Sequence, residues 1–364
     1  AQPDLTKETL AGALAGAVIV TVLGTEVTRE AIEAGRELNL IVRAGSGSGA
    51  IDLVAASERG IYVANCPGRS AGSVAELVFG MIVGLDRRLV EATNDIAGGN
   101  WNKAGFSGEE GLYGRRIGIA GLGAVGREVL SRARAFGLRS HAYSRSLTRG
   151  KASRMELCYA PSLERLAAMS DVLTIHLPLT PATKGIVSRA VLSALPDGAT
   201  FINTSRADLV DTDALVELAA KKKLRVGCDV FPNEPKDGKG TFETALASGS
   251  SPVRHRVLTP HVGASTKQAQ RAVAEEVARI VRSFLTEEDV PNVVNVCATS
   301  PARYVVVLRQ LDKVGALANA LNVFKRHGIN IEEISNTVFE GAKATCTKLR
   351  VSGRPSDACL KEIA

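Results

Sequence analysis

Apolar and polar positions along this 364-residue chain fall into short runs whose period changes repeatedly. Helical spacing at 5–14 gives way to an apolar, β-branched run at 17–23. A second helical stretch follows at 28–38, and strand-like runs follow at 40–44 and 61–65. Helices alternating with strands in this way imply a small parallel-sheet domain. Helical periodicity returns at 73–89 and continues weakly over 90–101, which predicts one long helix crossing from one domain to another. Strand candidates at 117–120, 140–143, 172–176, 200–203, 225–229 and 257–258 then alternate with helical segments. Pro161, Pro178, Pro181, Pro196 and Asp211 mark the turns and helix starts between them. This is the pattern of a doubly wound α/β domain set into the middle of the chain. A strongly helical 267–285 precedes a loosened stretch at 286–301, read as a linker. The tail predicts strand 304–309, helix 315–328, strands 329–339 and 344–351, and a helical start at Ser356. That βαββα order is the ferredoxin-like arrangement without its last strand.

Two glycine-rich loops stand out within these elements. The apolar run 117–120 leads into Gly121, Gly123 and Gly126, at GxGxxG spacing, with Ala124 and Val125 opening the helix that follows. In a strand, turn and helix of this kind the first glycine permits the tight turn. The second lets a pyrophosphate approach the backbone, and the third lets helix and strand pack closely. The helix N-terminal amides then face the phosphates. Residues 43–49, RAGSGSG, form a second loop whose amides, including those of Ser46 and Gly47, are placed to face a ligand.

Composition narrows the classes. The run 13–23 is broken by Gly16 and Thr21 and is too short to span a bilayer, so no membrane role is expected. Six cysteines lie far apart with no metal-ligand spacing, which reads as reduced, mostly buried thiols in a reducing compartment and no metal site. The net charge of +7 is spread along a chain with one Trp and five Tyr, so nucleic acid is not the expected partner. An anionic cofactor and substrate suit that charge as well as general solubility does.

The chemistry collects where strands end. About twenty residues past the first glycine, a carboxylate would hold a ribose 2′-hydroxyl and an arginine would suit a 2′-phosphate. This chain has Ser144, Arg145 and Ser146 there, which tilts the expectation from NAD towards NADP. Three later segments end strands on the ligand-binding side of such a sheet: 202–207, 228–235 and 258–266. Arg206 offers a planar fork for a carboxylate. His261 can exchange the proton of an alcohol, and Glu234 can hold its ring.

Residues 43–45, 73–77, 101–103, 121–126, 176–180, 203–206, 229–235 and 259–270 together resemble the D-isomer-specific 2-hydroxyacid dehydrogenase family, over residues 40–296. Residues 311–315 and 328–331 resemble an ACT domain, an amino-acid-sensing module. The resemblance implies a doubly wound Rossmann domain at 70–263 inserted in a smaller flavodoxin-like α/β substrate domain, whose two parts are 1–69 and 264–298. An ACT-like regulatory domain occupies 302–364. It also implies roles. Arg206 binds the substrate carboxylate and carbonyl region, His261 is the acid/base, and Glu234 pairs with His261. The cofactor set is Gly121, Gly123, Ala124, Val125, Gly126, Ser144, Arg145, Ser146, His176, Pro178, Thr204, Ser205, Asp229 and Gly263, with Asp229 on the nicotinamide carboxamide. The substrate set is Arg43, Ser46, Gly47, Arg69 and Lys103. Arg69 and Lys103 stand in for a phosphate-binding arginine that residues 22–26, VLGTE, do not supply. The implied partners are NAD or NADP, a phosphorylated 2-hydroxy acid, an amino-acid effector at the tail, and a second copy of the chain in a homodimer or homotetramer. The implied compartment is the cytoplasm or an organelle such as a plastid. Dinucleotide-sensing corepressors share this fold, so a non-enzymatic role remains open at this point.

Overall fold

The computed structural model describes residues 5–235, 239–247, 251–286, 289–297 and 299–363. Its compact units are 1–294 and 295–364. The first begins with α1 (Lys7–Ala13), β1 (Ile19–Val22), α2 (Arg29–Ala34), β2 (Leu40–Arg43), α3 (Leu53–Glu58) and β3 (Tyr62–Asn65). The three strands form a parallel sheet in the order β1-β2-β3. Helix α3 is absent from the sequence-based expectation because it is short. The Asp52 carboxylate, accepting from the Ala55 N–H at 2.9 Å, marks where it starts.

The long helix expected from 73 onward is two helices, α4 (Ala71–Asp86) and α5 (Leu89–Ala97). Arg88 between them has a left-handed backbone (φ 52°), which no continuous right-handed helix contains. Its guanidinium donates to the Gly105 carbonyl and lies 4.6 Å from the Phe106 ring centre, so the break is held by contacts further along the chain.

The central sheet is built from β4 (Arg116–Ala120), α6 (Ala124–Ala135), β5 (Arg139–Tyr143), α7 (Arg149–Arg154), β6 (Cys158–Tyr159), α8 (Leu163–Ala168), β7 (Val172–Ile175), α9 (Arg189–Ala194), β8 (Thr200–Asn203), α10 (Thr212–Lys221), β9 (Arg225–Cys228) and β10 (Arg256–Leu258). All seven strands are parallel, in the order β6-β5-β4-β7-β8-β9-β10. The first six positions follow the doubly wound order 3-2-1-4-5-6. A parallel sheet must be covered on both faces. Val78, Met81, Ile82 and Leu85 of α4 and Val129 of α6 cover one face, and Leu166, Val191, Leu192 and Leu215 from α8, α9 and α10 cover the other. Each such buried side chain contributes about 1.5–3 kcal/mol. Helix α4 lies so close to β9 that a Cβ on Gly227 would stand 3.2 Å from Met81 Cβ and 2.5 Å from Ile202 Cδ1.

Helix α11 (Lys267–Leu285) returns the chain to the first sheet. Ile280 packs among Leu40, Val42, Ala64 and Cys66, and the Val294 N–H donates to the Val63 carbonyl at 2.8 Å. Of the linker expected at 286–301, Glu287, Glu288 and Ala298 lie outside the described residues.

The second unit holds β11 (Tyr304–Leu311), α12 (Ala316–Arg326), β12 (Ile331–Val338), β13 (Ala344–Val351) and α13 (Asp357–Ile363). Its antiparallel sheet runs β11-β13-β12, and Val323, Phe324, Leu349, Val351 and Cys359 form its core. All six cysteines are free, but only Cys66, Cys228 and Cys359 are buried, where most were expected to be.

Candidate active site

The strand registers place the predicted cofactor residues in one row. Ala120 pairs with Tyr143 and Ile175, Ile175 with Asn203, Asn203 with Cys228, and Cys228 with Leu258. The next residue along each strand is therefore Ser144, Gly121, His176, Thr204, Asp229 and Thr259, in order across the sheet. The row includes the switch point between β4 and β7, where successive connections diverge and open a crevice.

The glycine turn is sterically committed. Gly121 has φ 101°, and a Cβ there would stand 2.5 Å from the His176 carbonyl oxygen. A Cβ on Gly126 would run into the Gly121 carbonyl, so α6 can approach the end of β4 this closely only with glycine at 126. Gly123, at the N-cap of α6, faces open space and supplies no capping side chain. The first-turn amides of Ala124, Val125 and Gly126 thus meet a cradle that a phosphate fits. Two buried polar atoms on the same row have no partner among the described residues, His176 Nδ1 and Thr204 Oγ1. Burial pushes the His176 imidazole down to about 3, so it is neutral, with Nε2 2.9 Å from Thr174 Oγ1. Buried polar groups of this kind call for a polar partner, which a bound ligand at this row can supply. The residues present fit a dinucleotide.

His261 and Glu234 meet. The imidazole Nδ1 lies 2.7 Å from Glu234 Oε2, while Glu234 Oε1 accepts from the Phe231 N–H at 2.8 Å. A carboxylate can only accept here, so Nδ1 carries the proton of this bond and Nε2 is left to face a substrate. Both residues lie in tight backbone: His261 has φ 53°, and Asn233, beside Glu234, has φ 60°. Asp229 holds the His261 loop in place. Its Oδ1 accepts from Thr259 Oγ1 (2.6 Å) and the Val262 N–H (2.8 Å), and Oδ2 accepts from the Gly263 N–H (2.9 Å). Ser73 Oγ donates to the Gly263 carbonyl at 2.7 Å, which ties the same loop to α4.

Arg206 is carried past the end of β8 by Asn203, whose side-chain amide donates to the Arg206 carbonyl at 3.0 Å. Arg206 Nη2 lies 3.6 Å from where a Cβ of Gly47 would stand. This brings the 43–49 loop and the central sheet together. Arg43 is partly buried, and its pKa is lowered first by burial and then by the charge of Arg206. Neither guanidinium has a carboxylate partner among the described residues, so the pair stands ready for an anion. Ser46 lies on the same loop, its carbonyl accepting from Asn65 Nδ2 at 2.7 Å.

Other expected residues go elsewhere. Arg69 donates to the buried Glu276 at 2.5 Å, and Arg279 (2.5 Å) and Asn292 (2.5 Å) bind the same carboxylate, so Arg69 is already engaged by an anion of the protein. Lys103 is exposed in the segment after α5, and its ammonium has no partner among the described residues. Pro178 lies on the loop after β7, where its carbonyl accepts from Thr183 Oγ1 at 2.6 Å, and Ser205 Oγ donates to the Ile175 carbonyl at 2.6 Å. Arg145 and Ser146 are exposed at the tip of the turn after β5. Sequence reasoning passed over Asn203, Thr259, Ser73 and Glu276 as positioning residues. Thr259, Ser73 and Glu276 act through contacts across long sequence separations, which no local pattern displays, whereas Asn203 acts locally on Ser205 and Arg206.

Residues 79–263 match the family model described as D-isomer specific 2-hydroxyacid dehydrogenase, NAD binding domain. The chain is 37% identical over 293 residues to a D-3-phosphoglycerate dehydrogenase of Methanocaldococcus jannaschii, covering 80% of this chain and 54% of that protein. It is 38% identical over 261 residues to a hydroxypyruvate reductase of Thermotoga maritima, covering 71% of this chain and 82% of that protein. Among solved structures, an NAD+-bound 3-phosphoglycerate dehydrogenase from Entamoeba histolytica superposes with a TM-score of 0.66 at 26% identity, covering 80% of this chain and 87% of that one. The chain spans about half the length of the Methanocaldococcus jannaschii and Mycobacterium leprae D-3-phosphoglycerate dehydrogenases it matches. With the NAD binding domain, the row of strand-end residues and the His–Glu pair in place, the chain belongs to the D-isomer specific 2-hydroxyacid dehydrogenase family.

Proposed function

We propose that this chain oxidises D-3-phosphoglycerate to 3-phosphohydroxypyruvate with a nicotinamide dinucleotide, the first step of serine biosynthesis. The observation that carries the reading is the His261–Glu234 pair (2.7 Å) on the strand-end row that also bears the glycine turn. When bound, the dinucleotide supplies the hydride acceptor. The protein's own part is to hold the acid in place and move its proton. His261 Nε2 takes the hydroxyl proton while Glu234 keeps the ring oriented. Arg206 and Arg43 bind the carboxylate, with the amides of Ser46 and Gly47 beside them. Asp229 keeps the His261 loop in register and meets the nicotinamide carboxamide. Arg145 tilts the cofactor towards NADP, and Lys103 remains a candidate for the substrate phosphate.

A second reading, glyoxylate or hydroxypyruvate reductase, is favoured by one specific feature. The segment 22–26 after β1 carries no cation for a substrate phosphate, and Arg69 is engaged by Glu276. Steady-state rates with 3-phosphoglycerate, glycerate and hydroxypyruvate, each with both dinucleotides and with and without serine, test both. Turnover of 3-phosphoglycerate with kcat/KM at least about tenfold above glycerate is expected, a difference of about 1.4 kcal/mol. A preference for unphosphorylated substrate overturns the first reading in favour of the second, and no turnover of any overturns both. The βαββα tail is read as an ACT-like module with an amino-acid effector. The exposed Leu89, Val90, Ile96, Trp101 and Tyr113 favour a homodimer or homotetramer. Among the described residues no helix is long and apolar enough to cross a membrane.

A further inference from the structure

The turn after β5 is built around more than one cation. The Leu147 N–H donates to the Ser144 carbonyl at 2.9 Å, closing a four-residue turn whose central residues are Arg145 and Ser146. Leu147 is buried and anchors the turn, which leaves the two central side chains exposed. The Gly121 N–H donates to the Tyr143 carbonyl at 2.8 Å, so the glycine turn is tied to the residue just before this turn. From 139 to 155 the sequence has no carboxylate. The cations of α7 are placed differently from one another. Arg149 lies 5.9 Å from the centre of the Tyr159 ring, whereas Lys151 folds back and donates from Nζ to the Ser146 carbonyl at 3.2 Å. An ammonium and a guanidinium therefore stand at one solvent-facing turn, beside the strand end where a dinucleotide places its adenosine ribose.

We propose that Lys151 is a second phosphate-binding cation of this turn, acting with Arg145 on the 2′-phosphate of an NADP-type dinucleotide. The proposal rests on the reading that the domain binds its dinucleotide across the glycine turn. A phosphate dianion is a far stronger acceptor than the Ser146 carbonyl. Lys151 brings a point charge on a flexible stem that needs no fixed geometry, and Arg145 brings a planar fork. The 2′-hydroxyl of NAD carries no charge, so Lys151 adds nothing to its binding.

The test measures dissociation constants of NADPH and NADH by nicotinamide fluorescence, with 2′,5′-ADP and 5′-ADP as calorimetric probes, for the full chain and its Lys151→Met and Lys151→Arg variants. Lys151→Met is expected to weaken NADPH and 2′,5′-ADP by about tenfold, the loss of one charge-assisted bond, and NADH and 5′-ADP by less than about twofold. Lys151→Arg is expected to restore most of the loss. A Lys151→Met variant that weakens both dinucleotides alike shows a merely structural lysine and overturns the proposal, as does a wild-type chain that binds NADPH no more tightly than NADH. A wild-type chain that binds neither dinucleotide overturns the cofactor reading along with it.

Discussion

His261 occupies a backbone conformation that costs an L-residue of order 1 kcal/mol or more, and Asp229 and Glu234 hold it there from two sides. Removing the imidazole and removing its orienting carboxylate should therefore differ in degree. His261→Ala is expected to lower kcat by about 10²–10⁴-fold while NADH still binds within about threefold of wild type, measured by steady-state kinetics and fluorescence titration. Glu234→Gln keeps the shape of the side chain but loses its charge, and a decrease in kcat of about 10–100-fold is expected, with KM little changed. Near-normal turnover of His261→Ala would remove it from the chemistry. These two residues and Arg206 were legible in the sequence because each follows a strand candidate. The left-handed backbone at His261 was not, since it depends on Asp229, more than thirty positions away, accepting from Val262 and Gly263.

At the scale of elements, α11 is held to the first sheet by a buried carboxylate as well as by apolar packing. Glu276 binds Arg279 and, against the cost of its own burial, is also bonded by Asn292 and Arg69, which together hold its pKa at about 2 instead of the ordinary 4.5. A folded value below the unfolded one means that this stability is fully present above about 4.5 and is lost as pH falls from there towards 2. At about 1.4 kcal/mol per pH unit, the contribution is of order 3–4 kcal/mol. In urea titrations at pH 6 and pH 3 the Glu276→Gln variant should lose less stability on acidification than the wild type. An equal loss in the two would show that Glu276 does not carry the effect. The strongly helical 267–285 segment was readable from its period alone. Its ion cluster was not, because Arg69 and Asn292 reach it from distant loops. The predicted long helix from residue 73 failed for a related reason: periodicity on both sides of Arg88 is helical, and only Gly105 and Phe106 reveal the break.

At the scale of the molecule, α5 has no buried residue, and Trp101 and Tyr113 are 83% and 90% exposed. Apolar side chains so exposed, on a segment between the well-packed α4 and β4, are what the proposed homo-oligomer would cover. Sedimentation is expected to give a dimer or a larger species, and Trp101→Glu should shift the population towards monomer by at least about tenfold in dissociation constant, about 1.4 kcal/mol. A monomeric wild type would contradict this.

Local sequence specified the alternation of strands and helices, the glycine turn, and the placing of Arg206, Glu234 and His261 after strand ends, because periodicity and turn chemistry are local properties of the chain. Tertiary structure alone decided which residues share the strand-end row, since parallel register joins positions far apart in sequence. It also decided which cations are free. Arg69 and Arg43 look equivalent in sequence, yet a buried carboxylate meets one and a second arginine faces the other. Charge balance is settled by neighbours in space, and those neighbours exist only once the chain has folded.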